Sequence, residues 1–310
     1  MMAILILEDT DEALSWKAAL ATYLPEVEIR VALNEGNPAD IEVVILWDKF
    51  DVLPSLVNLK MAVVLGAGID HMFELGVTIP KSVQVCRLVD PSLTSQMVEW
   101  VTLAVLVHNR CWDEYRSLQR EKSYMELAVP LPRERLIGIL GLGTLGKEVA
   151  VTLNKIGYQV KGWSRTPKLI NSVQCFYGDD GLHSLLSNVD ILICMLPLTA
   201  QTRGILNSDL FSRTKCGTYL INAARGSHLI EKDLLDAIDS GQISGATLDV
   251  QSIEPLPEDH PFWSHPAIKI TPHIATITIA KSSAQEVAEN CTRLANGEDL
   301  LNVVDFERQY

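Results

Sequence analysis

No C-x-x-C pair occurs among the six cysteines of this 310-residue chain, Cys86, Cys111, Cys175, Cys194, Cys216 and Cys291, and no histidine stands near them at metal-ligand spacing. That leaves no zinc module and no dithiol redox centre, so no metal is expected. Scattered single cysteines read as thiols of a reducing compartment. Basic residues are also too few for a nucleic-acid footprint. The chain carries 26 Lys and Arg against 39 Asp and Glu, a net charge of −13. That balance argues against a general nucleic-acid binder and against an anionic membrane surface as partner. No apolar run reaches the ~18 residues that span a bilayer. Residues 3–7 are apolar, but Glu8 and Asp9 follow at once, and the stretch is too short and too acidic for a signal peptide. The expectation is a soluble, cytoplasmic protein with neither nucleic acid nor membrane as partner. An anionic substrate then needs locally placed Arg or Lys, because the global field does not help.

What is present is alternation. Short β-rich apolar runs at 3–7, 27–33, 41–47, 61–65 and 83–87 precede a long helix pattern over 95–115. Further runs follow at 136–140, 158–164, 173–177, 190–196, 218–223, 243–250 and 268–271, with helical stretches between most of them, such as 144–156 and 231–240. This order predicts βαβ units and parallel sheets with helices on both faces. A last helix over 277–296 ends at Gly297. The expected division is a central domain of 100–277 flanked by a domain of 1–99 that 278–310 rejoins. The helix after Ser95 is apolar nearly all round from Val98 to Val107. It is therefore expected to be buried, inside the chain or in a subunit interface.

Residues 136–140 run into Gly141-Leu142-Gly143-Thr144-Leu145-Gly146, a G-x-G-x-x-G loop that opens a helix. In that context the first glycine permits the tight turn and the second lets backbone approach a pyrophosphate. The third lets helix and strand pack, and the helix N-terminus supplies N–H groups. An NAD site carries an acid ~20 residues further on, at the ribose 2′-hydroxyl. No acid occurs between Val160 and Lys168; the tip reads Ser164-Arg165-Thr166-Pro167-Lys168. Arg165, with Ser164 as a further donor, suits a 2′-phosphate, so NADPH is expected over NADH. The plainer reading of Arg165 and Lys168 is a solvated surface pair.

Three charged residues follow predicted strands: Arg225 in Asn222-Ala223-Ala224-Arg225-Gly226, Glu254 in a D-V-x-x-x-E-P-L-P run from Asp249, and His273 in Thr271-Pro272-His273-Ile274-Ala275. Carboxyl ends of parallel strands are where doubly wound folds hold ligands. Each residue alone would be an ordinary loop residue.

Together with the glycine loop and the segment from Leu196-Pro197 through Thr202 to Asn207, these motifs resemble the D-isomer-specific 2-hydroxyacid dehydrogenase family over nearly the whole chain. Trp47-Asp48, residues 65–70 and Trp163-Ser164-Arg165 make it most similar to the bacterial glyoxylate/hydroxypyruvate reductases within that family. The resemblance implies an α/β fold of two Rossmann-like or flavodoxin-like parallel-sheet domains with a cleft between them. Residues 100–277 would bind the dinucleotide, and 1–99 plus 278–310 the substrate. It implies NADPH-dependent reduction of a small 2-oxo acid, glyoxylate to glycolate or hydroxypyruvate to D-glycerate. Arg225 would hold the carboxylate and polarise the keto oxygen, helped by backbone N–H groups of Ala67 and Gly68. His273 would donate the proton, with Glu254 orienting the ring and favouring its charged form. Asp249 would meet the nicotinamide amide. Leu196, Pro197, Thr202 and Ala223 would line the cofactor, and Trp47 would wall off a small pocket. Gln251 departs from the family, which often has an aromatic residue there. The resemblance and the apolar helix both imply a homodimer. Open alternatives are a relative acting on another 2-hydroxy acid and a nucleotide-sensing binding module of the corepressor kind.

Overall fold

The computed structural model describes residues 3–77 and 79–309, and it divides into two units, 1–93 with 277–310 and 94–276. The divisions fall six residues before the expected 99/100 boundary and one before 277/278.

The first unit contains β1 (Ala3–Leu7), α1 (Thr10–Ala21), β2 (Glu28–Arg30), β3 (Ile41–Leu46), β4 (Met61–Val64), α2 (Asp70–Glu74) and β5 (Gln84–Arg87). Its strands form one parallel sheet in the order β2-β1-β3-β4-β5. This is the flavodoxin-like order, in which the switch point lies between β1 and β3. Both faces are covered, which is why the three inner strands β1, β3 and β4 read as largely apolar runs. Ile4 and Ile6 pack with Trp16 and Leu20 of α1, whereas Leu5 and Leu7 point to the side of Phe50, Leu53 and Met72.

The second unit begins within α3 (Pro91–Asn109), whose first turn still belongs to the first unit, and includes α4 (Trp112–Arg120). It contains β6 (Leu136–Leu140), α5 (Thr144–Ile156), β7 (Gln159–Ser164), β8 (Gln174–Tyr177), α6 (Gly178–Leu186), β9 (Ile191–Cys194) and α7 (Ser208–Ser212). β10 (Thr218–Asn222), α8 (Glu231–Asp239), β11 (Ile243–Leu248) and β12 (Ile268–Ile270) complete it. All seven strands are parallel, in the order β12-β11-β10-β9-β6-β7-β8, so the chain reverses its direction of winding between β6 and β9. Helix α9 (Ala280–Asn296) returns to the first unit and packs Ala284, Val287 and Cys291 beneath its sheet.

The long helix expected over 95–115 is two helices. Backbone turns left-handed at Cys111 (φ 53°), whose N–H still reaches the carbonyl of His108 at 3.1 Å, and α4 starts in a new direction. The helix expected to be buried all round is not so within the chain. Val101 and Val105 are fully buried, but Leu103 is 59% exposed. Among the described residues no helix is long and apolar enough to cross a membrane.

Candidate active site

The glycine loop lies at the carboxyl end of β6, at the switch point of the larger sheet. Gly141 has φ 103°, and a Cβ there would lie 2.5 Å from the Met195 carbonyl oxygen. A Cβ on Gly146 would lie 2.0 Å from the carbonyl oxygen of Gly141, so the third glycine is required by the contact between strand and helix. Gly143 caps α5, and nothing lies within 4 Å of where its Cβ would be. That open approach suits a group that comes close to main chain. Thr144 is exposed at the start of α5, Leu145 is half-buried, and the first turn carries no acid. The residues present therefore fit a pyrophosphate held by backbone N–H groups and a helix dipole.

The tip of β7 lies beside this loop, because the Gly141 N–H donates to the Trp163 carbonyl at 2.9 Å. Ser164 is buried and its hydroxyl donates to the Thr166 carbonyl at 2.8 Å, shaping the turn that presents the exposed Arg165. Leu196 is buried in the loop after β9. Thr202 closes that loop: its hydroxyl donates to the Pro197 carbonyl at 2.6 Å and accepts the Thr199 N–H at 2.9 Å.

Arg225 follows β10 and is held through its own carbonyl, which accepts from the side chain of fully buried Asn222 at 3.0 Å. His228, also fully buried, places Nδ1 3.1 Å from that carbonyl and Nε2 3.3 Å from the Pro197 carbonyl. Its imidazole thus links the Arg225 turn to the Pro197 loop. Ala223 is buried between Asn222 and Arg225. A Cβ on Gly226 would sit 1.9 Å from the Gln251 carbonyl carbon, so the turn lies directly on the segment that carries Glu254.

Glu254 and His273 meet: Glu254 Oε2 is 2.8 Å from His273 Nδ1, and Oε1 accepts the Gln251 N–H at 2.9 Å. A carboxylate only accepts, so Nδ1 carries the proton and Nε2 is the nitrogen left for chemistry. Burial raises the Glu254 carboxyl's pKa. The hydrogen bonds from His273 and the Gln251 N–H, with the nearby positive charges of His273 and Arg225, outweigh it and hold the group below its ordinary value. Arg225, Glu254 and His273 are therefore one cluster at the carboxyl ends of β10, β11 and β12.

Asp249, expected at the nicotinamide, has its carboxylate occupied. It is 1% exposed, its Oδ1 takes the Thr271 hydroxyl (2.6 Å) and the Ile274 N–H (2.9 Å), and its Oδ2 takes the Ala275 N–H (2.7 Å). Gln251 is also buried and extends Nε2 to the carbonyls of Leu248 (3.3 Å) and Thr271 (3.4 Å). An amide at this position ties the Glu254 turn to the His273 loop through its N–H donors, which a phenylalanine ring would lack.

In the first unit, Ala67 and Gly68 form the turn after β4, and the Ala67 carbonyl accepts from Arg87 at 3.0 Å. Trp47 follows β3 and is 37% exposed, with its ring stacked on His71. His228 and His71 were not anticipated from sequence, and Asn222 entered only as a member of the Asn222-to-Gly226 motif.

Residues 102–275 match the family described as D-isomer specific 2-hydroxyacid dehydrogenase, NAD binding domain. The glyoxylate/hydroxypyruvate reductase A of Yersinia enterocolitica is 40% identical over 304 residues, covering 96% of this chain and 97% of that protein. Among solved structures, a D-isomer specific 2-hydroxyacid dehydrogenase from Xanthobacter autotrophicus in complex with NADPH and MES superposes with a TM-score of 0.95 at 36% identity, over 99% of each chain. The NADPH-dependent glyoxylate/hydroxypyruvate reductase of Sinorhizobium meliloti, in complex with NADP and sulfate, gives 0.92 at 33% identity, over 100% of this chain and 99% of the other.

Proposed function

The chain belongs to the D-isomer specific 2-hydroxyacid dehydrogenases, and from that premise we propose that it reduces small 2-oxo acids, glyoxylate to glycolate and hydroxypyruvate to D-glycerate, in preference with NADPH. The observation that carries the reading is the 2.8 Å contact of His273 Nδ1 with Glu254, with the charge of Arg225 reaching the same carboxylate.

The nicotinamide cofactor, when bound, supplies the hydride. Gly141, Gly143, Thr144, Leu145 and Gly146 would hold its pyrophosphate, and Ser164 and Arg165 the 2′-phosphate. Leu196, Pro197, Thr202 and Ala223 would line the rest, with the Thr202 hydroxyl also closing its loop. Arg225 pairs with the substrate carboxylate and draws electron density toward the keto oxygen. In the first unit, Ala67 and Gly68 would offer backbone N–H donors to a carboxylate, with Trp47 beside them. His273 gives its Nε2 proton to the keto oxygen while the carbon gains hydride, and the hydroxyl that results carries no net charge. Glu254 balances the imidazolium before transfer and keeps the ring in place after it.

NADPH oxidation followed at 2-oxo acids of increasing size tests the reading. Failure with both glyoxylate and hydroxypyruvate would remove it.

We also propose a cytoplasmic homodimer. Its support is the apolar surface around α3 and α4: Leu103 is 59%, Trp112 58% and Met125 54% exposed. A second copy of this surface would remove it from water. Light scattering on wild type and Leu103→Glu reads the mass directly. A monomeric wild type at micromolar concentration overturns the assignment.

A further inference from the structure

Trp47 and its neighbours lie at the carboxyl edge of the smaller sheet. Strands β3 and β4 pair with Leu46 opposite Val64, so Trp47 and the turn that begins at Leu65 leave the sheet side by side. A Cβ on Gly66 would lie 2.8 Å from Cζ3 of the indole. The indole is therefore seated on the turn whose next two residues are Ala67 and Gly68.

His71, in the first turn of α2, stacks on this indole with ring centroids 4.0 Å apart and planes 26° from parallel. Its Nε2 is 2.8 Å from the carbonyl oxygen of Trp47 itself. A carbonyl only accepts, so Nε2 bears the hydrogen and the ring's tautomer is settled. Phe50 leans on the same imidazole at 5.7 Å. On the other side of the peptide, the Glu8 carboxyl interacts with the backbone of Trp47. One residue thus holds both the main chain and the aromatic face of a tryptophan that is partly open to solvent. A flexible indole would yield to a bulky ligand; this one has a ring behind it and a glycine under it.

We propose that His71 is a specificity-determining positioning residue: it fixes the Trp47 indole and thereby limits the size of the 2-oxo acid. The inference rests on the reading of Ala67 and Gly68 as carboxylate donors. A carboxylate bound there places the rest of the acid next to the indole, where a hydrogen or hydroxymethyl substituent is admitted and a branched chain is not. His71 itself touches no substrate.

The test is a double-mutant cycle on kcat/KM with NADPH, using glyoxylate and 2-oxo-4-methylpentanoate, in wild type, His71→Ala, Trp47→Ala and the double variant. His71→Ala should raise the ratio of the larger acid to glyoxylate by about tenfold, the scale of losing one steric contact in a small pocket. In the Trp47→Ala background the same change should alter the ratio by less than about twofold, because no indole remains to be placed. His71→Phe keeps the stack but not the donor and should fall between; it also carries the test if His71→Ala does not fold. Equal losses on both acids, or independent factors that multiply, overturn the assignment and leave the proposed function standing. No turnover of any 2-oxo acid by wild type overturns the function and this inference with it.

Discussion

The backbone N–H of His273 donates to the carbonyl oxygen of Asp249 at 2.7 Å, and the Asp249 carboxylate takes the Thr271 hydroxyl and the N–H groups of Ile274 and Ala275. One buried aspartate thereby holds the chain on both sides of His273. His273 sits at φ 55°, a left-handed conformation that a non-glycine residue keeps only when its surroundings impose it. The carboxylate's acceptor sites are what impose it here.

Asp249→Asn should therefore act through His273. An amide offers one acceptor and turns a donor toward groups that also donate. Stability should fall by on the order of 1.5–3 kcal/mol for each lost bond to a charged group. Reduction should slow by about 10²-fold, the cost of misplacing a reacting group by ~1 Å. NADPH affinity, read by fluorescence titration, should change little. A large loss of NADPH affinity with kcat preserved would instead make Asp249 a cofactor contact.

Strand ends, glycine loop and the Arg225, Glu254 and His273 positions were legible because each depends on local order: an apolar run, a turn, then a charged residue. The rest depends on partners far along the chain. His228 meets the carbonyl of Pro197, 31 residues earlier, and His71 that of Trp47, 24 residues earlier. A carbonyl acceptor is present at every residue, so nothing in the sequence marks the one that is used. The break after α3 was hidden for a similar reason. No glycine or proline occurs from His108 to Asp113, so nothing in the residue types marks the left-handed turn at Cys111.

On the proposed function, Arg165 is the residue on which the cofactor preference turns. Arg165→Ala should weaken NADPH by on the order of 1.5–3 kcal/mol and leave NADH nearly unchanged. Equal kcat/KM for the two cofactors in wild type would sink the assignment.

Arg225→Lys keeps the charge and loses the planar fork, so it should behave as a severe change. KM for glyoxylate should rise at least tenfold while NADPH affinity remains near wild type, since one bidentate contact becomes a point charge. A variant with wild-type KM would show that the carboxylate is anchored elsewhere.

Glu8 makes stability depend on pH in the direction opposite to most carboxylates. Burial, with the Glu12 charge second, raises it from 4.5 to about 7, and no described residue hydrogen-bonds its buried Oε1. Between those values the folded carboxyl holds a proton that the unfolded chain has released. Unfolding free energy therefore falls as pH rises through that window, and the penalty is complete above it. Glu8→Gln should remove the penalty, stabilising by about 1–3 kcal/mol near pH 8 with little gain near pH 4. Denaturant midpoints at the two pH values check it; equal gains at both would mean that packing, not charge, is responsible.

Glu254 is the test of the proton relay. Its carboxyl lies below its ordinary value through the hydrogen bonds of His273 and the Gln251 N–H and the charges of His273 and Arg225, which outweigh burial. It therefore remains ionised as pH falls through the usual carboxylate range and does not set the alkaline side of a rate profile. That side reports loss of the proton that His273 must deliver. On the proposed function the Glu254 carboxylate, 2.8 Å from Nδ1, is the negative charge that faces the protonated ring which reduction needs. Glu254→Gln keeps the shape and a carbonyl oxygen for Nδ1 but removes the charge. The alkaline limb of kcat/KM for reduction should move to lower pH, and part of the lost activity should return as the solution is made more acidic. His273→Ala should lose ~10²–10⁴-fold at every pH, because no proton donor remains to be rescued. If the Glu254→Gln limb coincides with that of wild type, the negative charge does not govern the donor, and the pair serves only to orient the ring.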